Sequence, residues 1–305
     1  MGDSTQQLWE MYSPEEKNNF FHAYVYLKYI DHFIHHAFAA SGLPKKERTE
    51  FPEESIDEML KRAVQEIGEV AGGYETNIYH GKVVNLKDAI QLVTQKVDLS
   101  LITPERVIPF KVAKDIILKN PESIAVGECA CRSASLNPCL PMDVCLFVGD
   151  PVASFIAEHN TKYRKISQEE AVGILNAEHK RGHVHCAYFK REMGNRFFCV
   201  CNCCSCCCLG VQMWNLLGGT VPLLASSGYV AEVGGQCNGC SDCVASCNFK
   251  AIAIDENSQR ATVDHNKCMG CGVCEDMCPV EAISLVADPS KGEPLDLSAL
   301  LKQTH

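Results

Sequence analysis

Eight cysteines near the C-terminus form two quartets of one design. Cys237, Cys240, Cys243 and Cys247 recur as Cys268, Cys271, Cys274 and Cys278, each displaced by 31 residues. Both follow C-x2-C-x2-C-x3-C, in CNGCSDCVASCN and CMGCGVCEDMCP. That spacing suits a 4Fe–4S cluster, because three thiolates on one tight loop reach three irons of one cube. Gly239, Gly270 and Gly272 let backbone N–H groups approach the sulfurs and stabilise the charge added on reduction. The fourth cysteine opens a helix and points the other way, so it serves the opposite cube. The sets are therefore expected to cross: Cys237, Cys240, Cys243 and Cys278 for one cluster, Cys268, Cys271, Cys274 and Cys247 for the other. Structural zinc also uses C-x2-C pairs, but zinc needs neither a third such cysteine nor a crossed fourth.

With all eight cysteines in place, this stretch of about 60 residues resembles the bacterial-type two-cluster ferredoxin domain. The resemblance implies a ferredoxin-like ββαββα pseudo-repeat and low-potential, one-electron chemistry. Short β-like runs accompany the repeat: YVAEV and AIAID around the first quartet, ATVDH and AISLV around the second. One departure is Asn248, where proline usually follows the fourth cysteine; Pro279 keeps it. The change bears on loop rigidity and removes no ligand.

Twelve cysteines remain: Cys129, Cys131, Cys139, Cys145, Cys186, Cys199, Cys201, Cys203, Cys204, Cys206, Cys207 and Cys208. Seven of them crowd the ten positions of CVCNCCSCCC. If that run is extended, Cys199, Cys201 and Cys203 share one face and Cys204, Cys206 and Cys208 the other. If it is helical, Cys203, Cys206 and Cys207, or Cys204, Cys207 and Cys208, share a face. Neither conformation aims all seven thiols at one metal, so the run either divides between two centres or leaves spares. The order CxCR, C-x5-C within PMDVCLFVGD, ISQEEAVGIL, CNCCSCCC and then the quartets resembles largely uncharacterised iron–sulfur proteins of anaerobic bacteria and archaea, over residues 105–285. It implies a cysteine-rich redox module ahead of the ferredoxin module, with at least one additional iron–sulfur cluster among the twelve. A zinc knot and reactive free thiols are the alternatives; crowded unligated thiols would be oxidation targets.

The elements that must position these residues read as α+β. Residues 1–103 are cysteine-free and expected to form a helical bundle. Ser13-Pro14-Glu15-Glu16 is a capping box, and Ala23, Leu27, Ile30, Ile34 and Ala37 continue it as one helix face that stops at Gly42 and Pro44. A second helix starts at Ser55 and ends at Gly72-Gly73, and a third covers Leu86–Val97. Residues 104–228 form the central cysteine-rich α/β module, with a helix over Pro109–Lys119, extended chain over Ser123–Val126 and a capped helix in ISQEEAVGILNAEHKRG. Residues 229–288 are the dicluster domain, and residues 289–305 a tail with one short helix near Leu297–Lys302.

Other polar groups carry less. His32 and His36 stand four apart on the first helix beside His35, a spacing that can bind metal but without the glutamate of a metalloprotease motif; unsupported pairs more often pack at a bundle surface. His183 and His185, before Cys186, are candidates for ligand or proton relay. Arg132 could hydrogen-bond a cluster sulfur or lower a thiol pKa, or simply be solvated. Tyr24, Tyr26, Tyr29 and Phe33 read as core or interface and not as a cofactor box. No catalytic residue is assigned.

The 305-residue chain has 20 cysteines and a net charge of −10, which disfavours nucleic acid and suits docking on basic protein patches. MGDSTQQLWEMYS lacks the pattern of a secretory leader, and Phe20–Ala40 contains Lys28, Asp31 and four histidines, so no transmembrane segment is expected; any membrane contact would come through a partner. Many cysteines without a leader fit a reducing cytoplasm and metal binding. The expectation is an electron carrier relaying single electrons for a redox protein or enzyme complex. The alternatives are an oxidoreductase subunit with a catalytic cluster in residues 129–208, and a redox or metal sensor.

Overall fold

Period-two alternation in VHCAYFK and RFFCVCNC builds the centre of the molecule. The structure, a computed structural model, describes residues 2–48, 50–69, 79–219 and 223–303, the backbone alone for 66–69 and 303. Eight strands form the central sheet: β1 Tyr79–Val84, β2 Leu99–Leu101, β3 Ile116–Glu128, β4 Asp143–Asp150, β5 Tyr163–Ile166, β6 Val184–Lys190, β7 Arg196–Cys203 and β8 Leu224–Ala225. Their order is β2-β3-β4-β7-β6-β1-β8, with β5 beside β3. Neighbours are antiparallel except β1 and β8. Among the described residues no helix is long and apolar enough to cross a membrane.

The alternation sorts side chains between two cores. Ala187, Phe189, Leu146, Val148 and Val200 face one core, against helices Leu86–Val93 and Gln168–Lys180. Cys186, Tyr188, Cys145, Phe147, Cys199 and Cys203 face the other, beneath helices Asp3–Glu10, Lys17–Lys28, Ile30–Ser41, Glu54–Glu69 and Val152–His159. Ser167 caps Gln168–Lys180 by accepting from the Glu170 N–H at 3.1 Å, as the ISQEE sequence predicts.

Several expectations change. The single helix expected from Ala23 to Ala37 is two, broken at Tyr29 (φ −125°, ψ 34°). Asn160 supplies a partner at the break, its Nδ2 donating to the Lys28 carbonyl at 3.2 Å, a group that the interrupted helix leaves without its usual acceptor role. No helix forms over Pro109–Lys119: Ala113 takes φ 55°, and Ile116 and Leu118 alternate into β3, opposite Leu101 and Leu99. The third helix ends at Val93, with Val97 exposed. The stretch read as purely helical also supplies β1 and β2 to the sheet. The stop expected at Gly72-Gly73 lies outside the described residues. In the tail, Leu297–Gln303 is helical and Leu295, Leu297 and Leu300 enter the second core.

The C-terminal region runs β9 Tyr229–Val233, helix Asp242–Ser246, β10 Ile252–Ile254, β11 Ala261–Val263, helix Val273–Asp276 and β12 Ile283–Ala287. This is strand–helix–strand twice, in place of the ββαββα order expected, because each cysteine loop leads from a strand directly into its helix. β9 pairs with β12 and β10 with β11, both antiparallel, so the outer strands of the two halves interlock.

One buried cation in the sheet gives a pH-dependent signature. Lys82 is 1% exposed and its Nζ donates to the carbonyls of Ser226 at 2.7 Å and Glu293 at 2.9 Å. Burial, opposed by Asp88 and Glu293, pulls it down from 10.5 to about 7. Between those values the unfolded chain holds a proton that the folded chain has lost. Lys82 therefore adds stability as pH rises through that window, by at most about 1.4 kcal/mol per unit. From pH 7 to pH 9 the unfolding free energy of the wild type will gain on that of Lys82→Met by about 2 kcal/mol; an unchanged difference in denaturant titrations contradicts this.

Candidate metal centres

The two halves of the C-terminal region place the quartets as crossed sets around two separate cavities. Cys237, Cys240, Cys243 and Cys278 line one, with Gly239, Ala261 and Ile283. Cys247, Cys268, Cys271 and Cys274 line the other, with Ala251, Gly270 and Gly272. Backbone amides point at the sulfurs with the same near-symmetry. The Ala261 N–H donates to Cys237 Sγ (3.4 Å) and the Ala231 N–H to Cys268 Sγ (3.4 Å). The Ala251 N–H donates to Cys247 Sγ (3.3 Å) and the Ala282 N–H to Cys278 Sγ (3.2 Å). Such N–H groups favour thiolate over thiol, and the backbone N–H groups of Ala261 and Gly239 hold Cys237 below the ordinary thiol range. Burial pushes Cys271 up to about 12; a cation in the cavity would offset that cost.

The loops are shaped for close approach. A Cβ on Gly239 would stand 2.2 Å from the Gln259 carbonyl oxygen, and one on Gly270 2.2 Å from that of Tyr229. Gly272 takes φ 85°, and its counterpart 31 residues earlier, Ser241, takes φ 73° without being glycine. Left-handed backbone costs a non-glycine residue about 1 kcal/mol, so Ser241→Gly will raise unfolding free energy by about 0.5–1 kcal/mol, whereas an unchanged or lowered denaturation midpoint contradicts it.

The central module gathers the remaining cysteines by β-sheet register. Cys201 lies opposite Cys186, and Phe147 of β4 lies opposite Cys199, which brings Cys145 beside Cys201 at 3.9 Å. Cys199 and Cys201 sulfurs are 3.8 Å apart, those of Cys203 and Cys208 3.2 Å. Cys129 accepts hydrogen bonds from Cys131 and Cys145, which hold it well below the ordinary thiol range. The same contacts, with burial, hold Cys131 and Cys145 well above it. Thiols this crowded and buried cannot ionise together without a cation.

CVCNCCSCCC is extended only as far as Cys203; the chain then turns, and Cys208 is the N-cap of helix Leu209–Leu216. Cys199, Cys201, Cys203 and Cys208 therefore stay on the Cys129 side, while Cys204, Cys206 and Cys207 gather around Cys139. Beneath the first group lies a cavity of about 440 Å³, walled opposite by Tyr26, Ile30, Phe33 and Ile34. Cys204 and Cys207 reach its edge. Tyr26 and Phe33 are buried core residues that also wall this cavity.

Arg132 is neither solvated nor aimed first at a sulfur. It is 1% exposed, and Glu178, at 0%, receives its Nη2 at 2.5 Å; Nη1 donates to the Pro141 carbonyl. His183 shares a hydrogen bond with Glu178 at 2.6 Å, and His185 with His179 (3.1 Å) and Asn202 (2.7 Å). His36 is held by Asp57 at 2.6 Å, His32 meets Arg48 at 3.2 Å, and His35 packs against Phe51. The three form no shared site.

Asn248, the departure from proline, joins the two modules. Its Oδ1 accepts from the Ser205 N–H (2.8 Å), within the cysteine run, and its Nδ2 donates to the Gly182 carbonyl (2.7 Å). Proline could do neither. Nothing in the local sequence signals this role; only the missing proline marks the position. Cys247 and Cys271 pack against the core that contains Cys186 and Cys203.

Residues 236–282 match the family described as the 4Fe-4S dicluster domain. Among curated proteins, the archaeal-type glutamate synthases (NADPH) of Thermotoga sp. (strain RQ2) and of Thermotoga maritima are each 42% identical over 50 residues, 16% of this chain. The chain spans a tenth of the length of these relatives. Residues 236–282 are thus a ferredoxin-type 4Fe–4S dicluster domain, set in an α+β chain in which nine of the twelve other cysteines line one cavity.

Proposed function

We propose that this chain relays single electrons for a redox enzyme, through two 4Fe–4S clusters in residues 229–288 and at least one further iron–sulfur centre in the central module. The observation that carries this is the pairing of each crossed quartet with its own cavity and its own sulfur-directed amides. Each such cluster takes up and releases one electron at a time. The protein's part is to hold the thiolates, exclude water and keep the centres close. Cys247 and Cys271 pack against the core that contains Cys186, and Asn248 ties the two segments together beside that contact. The likeness to glutamate synthases supports a redox-enzyme partner, and the acidic surface suits a basic docking patch. The proposed setting is cytoplasmic. Anaerobic titration with a low-potential donor, followed by EPR, will show reversible one-electron reduction at both crossed sites; a chain that does not cycle contradicts the reading.

The cavity of about 440 Å³ favours a second reading, in which the chain is an oxidoreductase subunit and its central centre acts on a small molecule. The volume lies within the range of small-molecule sites, and its lining combines nine cysteine thiols with aromatic and aliphatic side chains.

A further inference from the structure

The twelve central cysteines separate into two groups of different geometry. Cys139, Cys204, Cys206 and Cys207 are the tighter. Their sulfurs all lie within 4.8 Å of one another. Five of the six distances are 3.9 Å (Cys139–Cys204), 3.1 Å (Cys139–Cys206), 3.7 Å (Cys139–Cys207), 3.3 Å (Cys204–Cys206) and 3.7 Å (Cys206–Cys207). A tetrahedral ion with metal–sulfur bonds of about 2.3 Å places its sulfurs about 3.8 Å apart. A 4Fe–4S cube gives each thiolate a different iron and so spreads them further. The molecule contains its own comparison: among the described residues neither dicluster quartet draws its donors within 4.8 Å of one another, and this group does.

The four thiols come from two loops distant in sequence. Cys204, Cys206 and Cys207 lie on the turn between β7 and helix Leu209–Leu216, and Cys139 on the loop before β4. The turn is held independently of any metal: the Cys208 N–H donates to the Cys204 carbonyl (3.0 Å), the Gln212 side chain to the Cys206 carbonyl (3.3 Å), and the Ser205 N–H to Asn248 (2.8 Å). The Cys139 N–H donates to Cys207 Sγ at 3.4 Å, the kind of outer contact that orients a thiolate ligand. Cys206 is exposed while Cys204 and Cys207 are buried, which leaves an entry path for an ion from solvent.

We propose that Cys139, Cys204, Cys206 and Cys207 form a mononuclear tetrathiolate site for one divalent thiophilic ion, zinc or ferrous iron, distinct from every iron–sulfur cluster of the chain. The ion ties the loop before β4 to the cysteine run and closes the edge of the 440 Å³ cavity where Cys204 and Cys207 reach it. Binding releases the thiol protons and forms four metal–sulfur bonds without any change of oxidation state.

The test uses the full chain purified without oxygen, with zinc, iron and acid-labile sulfide counted per chain. The expected result is one zinc, or one iron in excess of sulfide, per chain; in the double variant Cys139→Ala/Cys206→Ala this falls to less than about a tenth while sulfide stays constant. For a zinc-bound site, zinc-edge X-ray absorption on the wild type supplies a readout that does not depend on the variant folding, four sulfurs at about 2.3 Å with no neighbouring metal; for an iron-bound site, the readout is a Mössbauer signal of one high-spin ferrous tetrathiolate beside the cluster signals. Either zinc or iron in that shell supports the site and identifies the ion. A second metal within the zinc shell, the absence of both a zinc and a separate ferrous tetrathiolate signal, or loss of about four irons with their sulfide in the double variant, would overturn the proposal.

Discussion

Replacing Cys278 with serine will empty the site of Cys237, Cys240 and Cys243 and spare that of Cys268, Cys271 and Cys274. The sulfur of Cys278 lines the first cavity although 31 residues separate it from Cys247, the fourth cysteine of that cavity's own motif. The variant will lose about four irons per chain, half of those in the dicluster domain. Cys247→Ser will lose the same number from the other site. Double variants make the assignment unambiguous. Cys278→Ser with Cys237→Ser will lose no more iron than either alone, because both act on one site, whereas Cys278→Ser with Cys268→Ser will lose both sites. The reverse pattern would mean that each motif keeps its own fourth cysteine. The expected loss is large because the buried thiolates left behind repel one another once the cluster is gone.

Arg132→Met will destabilise the chain by about 1.5–3 kcal/mol, since it takes a charge-assisted hydrogen bond from a fully buried carboxylate. Glu178 is 0% exposed and keeps only Arg181 (2.9 Å) and His183 (2.6 Å) as partners. Such a loss is a large fraction of the stability of an ordinary domain. Removing both charges in Arg132→Met/Glu178→Leu will recover most of it, because the buried carboxylate that lost its guanidinium is gone as well. Anaerobic denaturant unfolding checks both variants; a double variant as unstable as the single one contradicts the argument. The arginine of CACR then reads as a clamp. It ties the short helix Ala130–Ala134, which carries Cys131 and has Cys129 as its N-cap, to the Pro141 carbonyl and to helix Gln168–Lys180.

The parts legible in the sequence are those governed by local spacing. The quartets, the short strands around them and the Ser167 cap follow from residue order alone. The division of CVCNCCSCCC could be posed but not decided, since it depends on where β7 ends, and β-sheet register with β4 and β6 sets that. The helix expected over Pro109–Lys119 and the unbroken helix through Tyr29 failed for one reason: a partner distant in sequence, β2 in one case and Asn160 in the other, offered the backbone a better arrangement. In the sequence, Arg132 and Asn248 stand out only through their neighbours, Cys131 and Cys247. Their actual partners, Glu178 and Ser205, lie more than 40 positions away, beyond the reach of periodicity or capping rules.

The most direct test of electron relay through more than the dicluster domain is a count of iron and acid-labile sulfide per chain, in protein purified without oxygen. The account predicts about twelve or more irons with nearly matching sulfide, eight from the two crossed sites and the rest from the array around Cys129, Cys145, Cys199 and Cys203. About eight irons, with the central thiols empty or filled only by zinc, would contradict it.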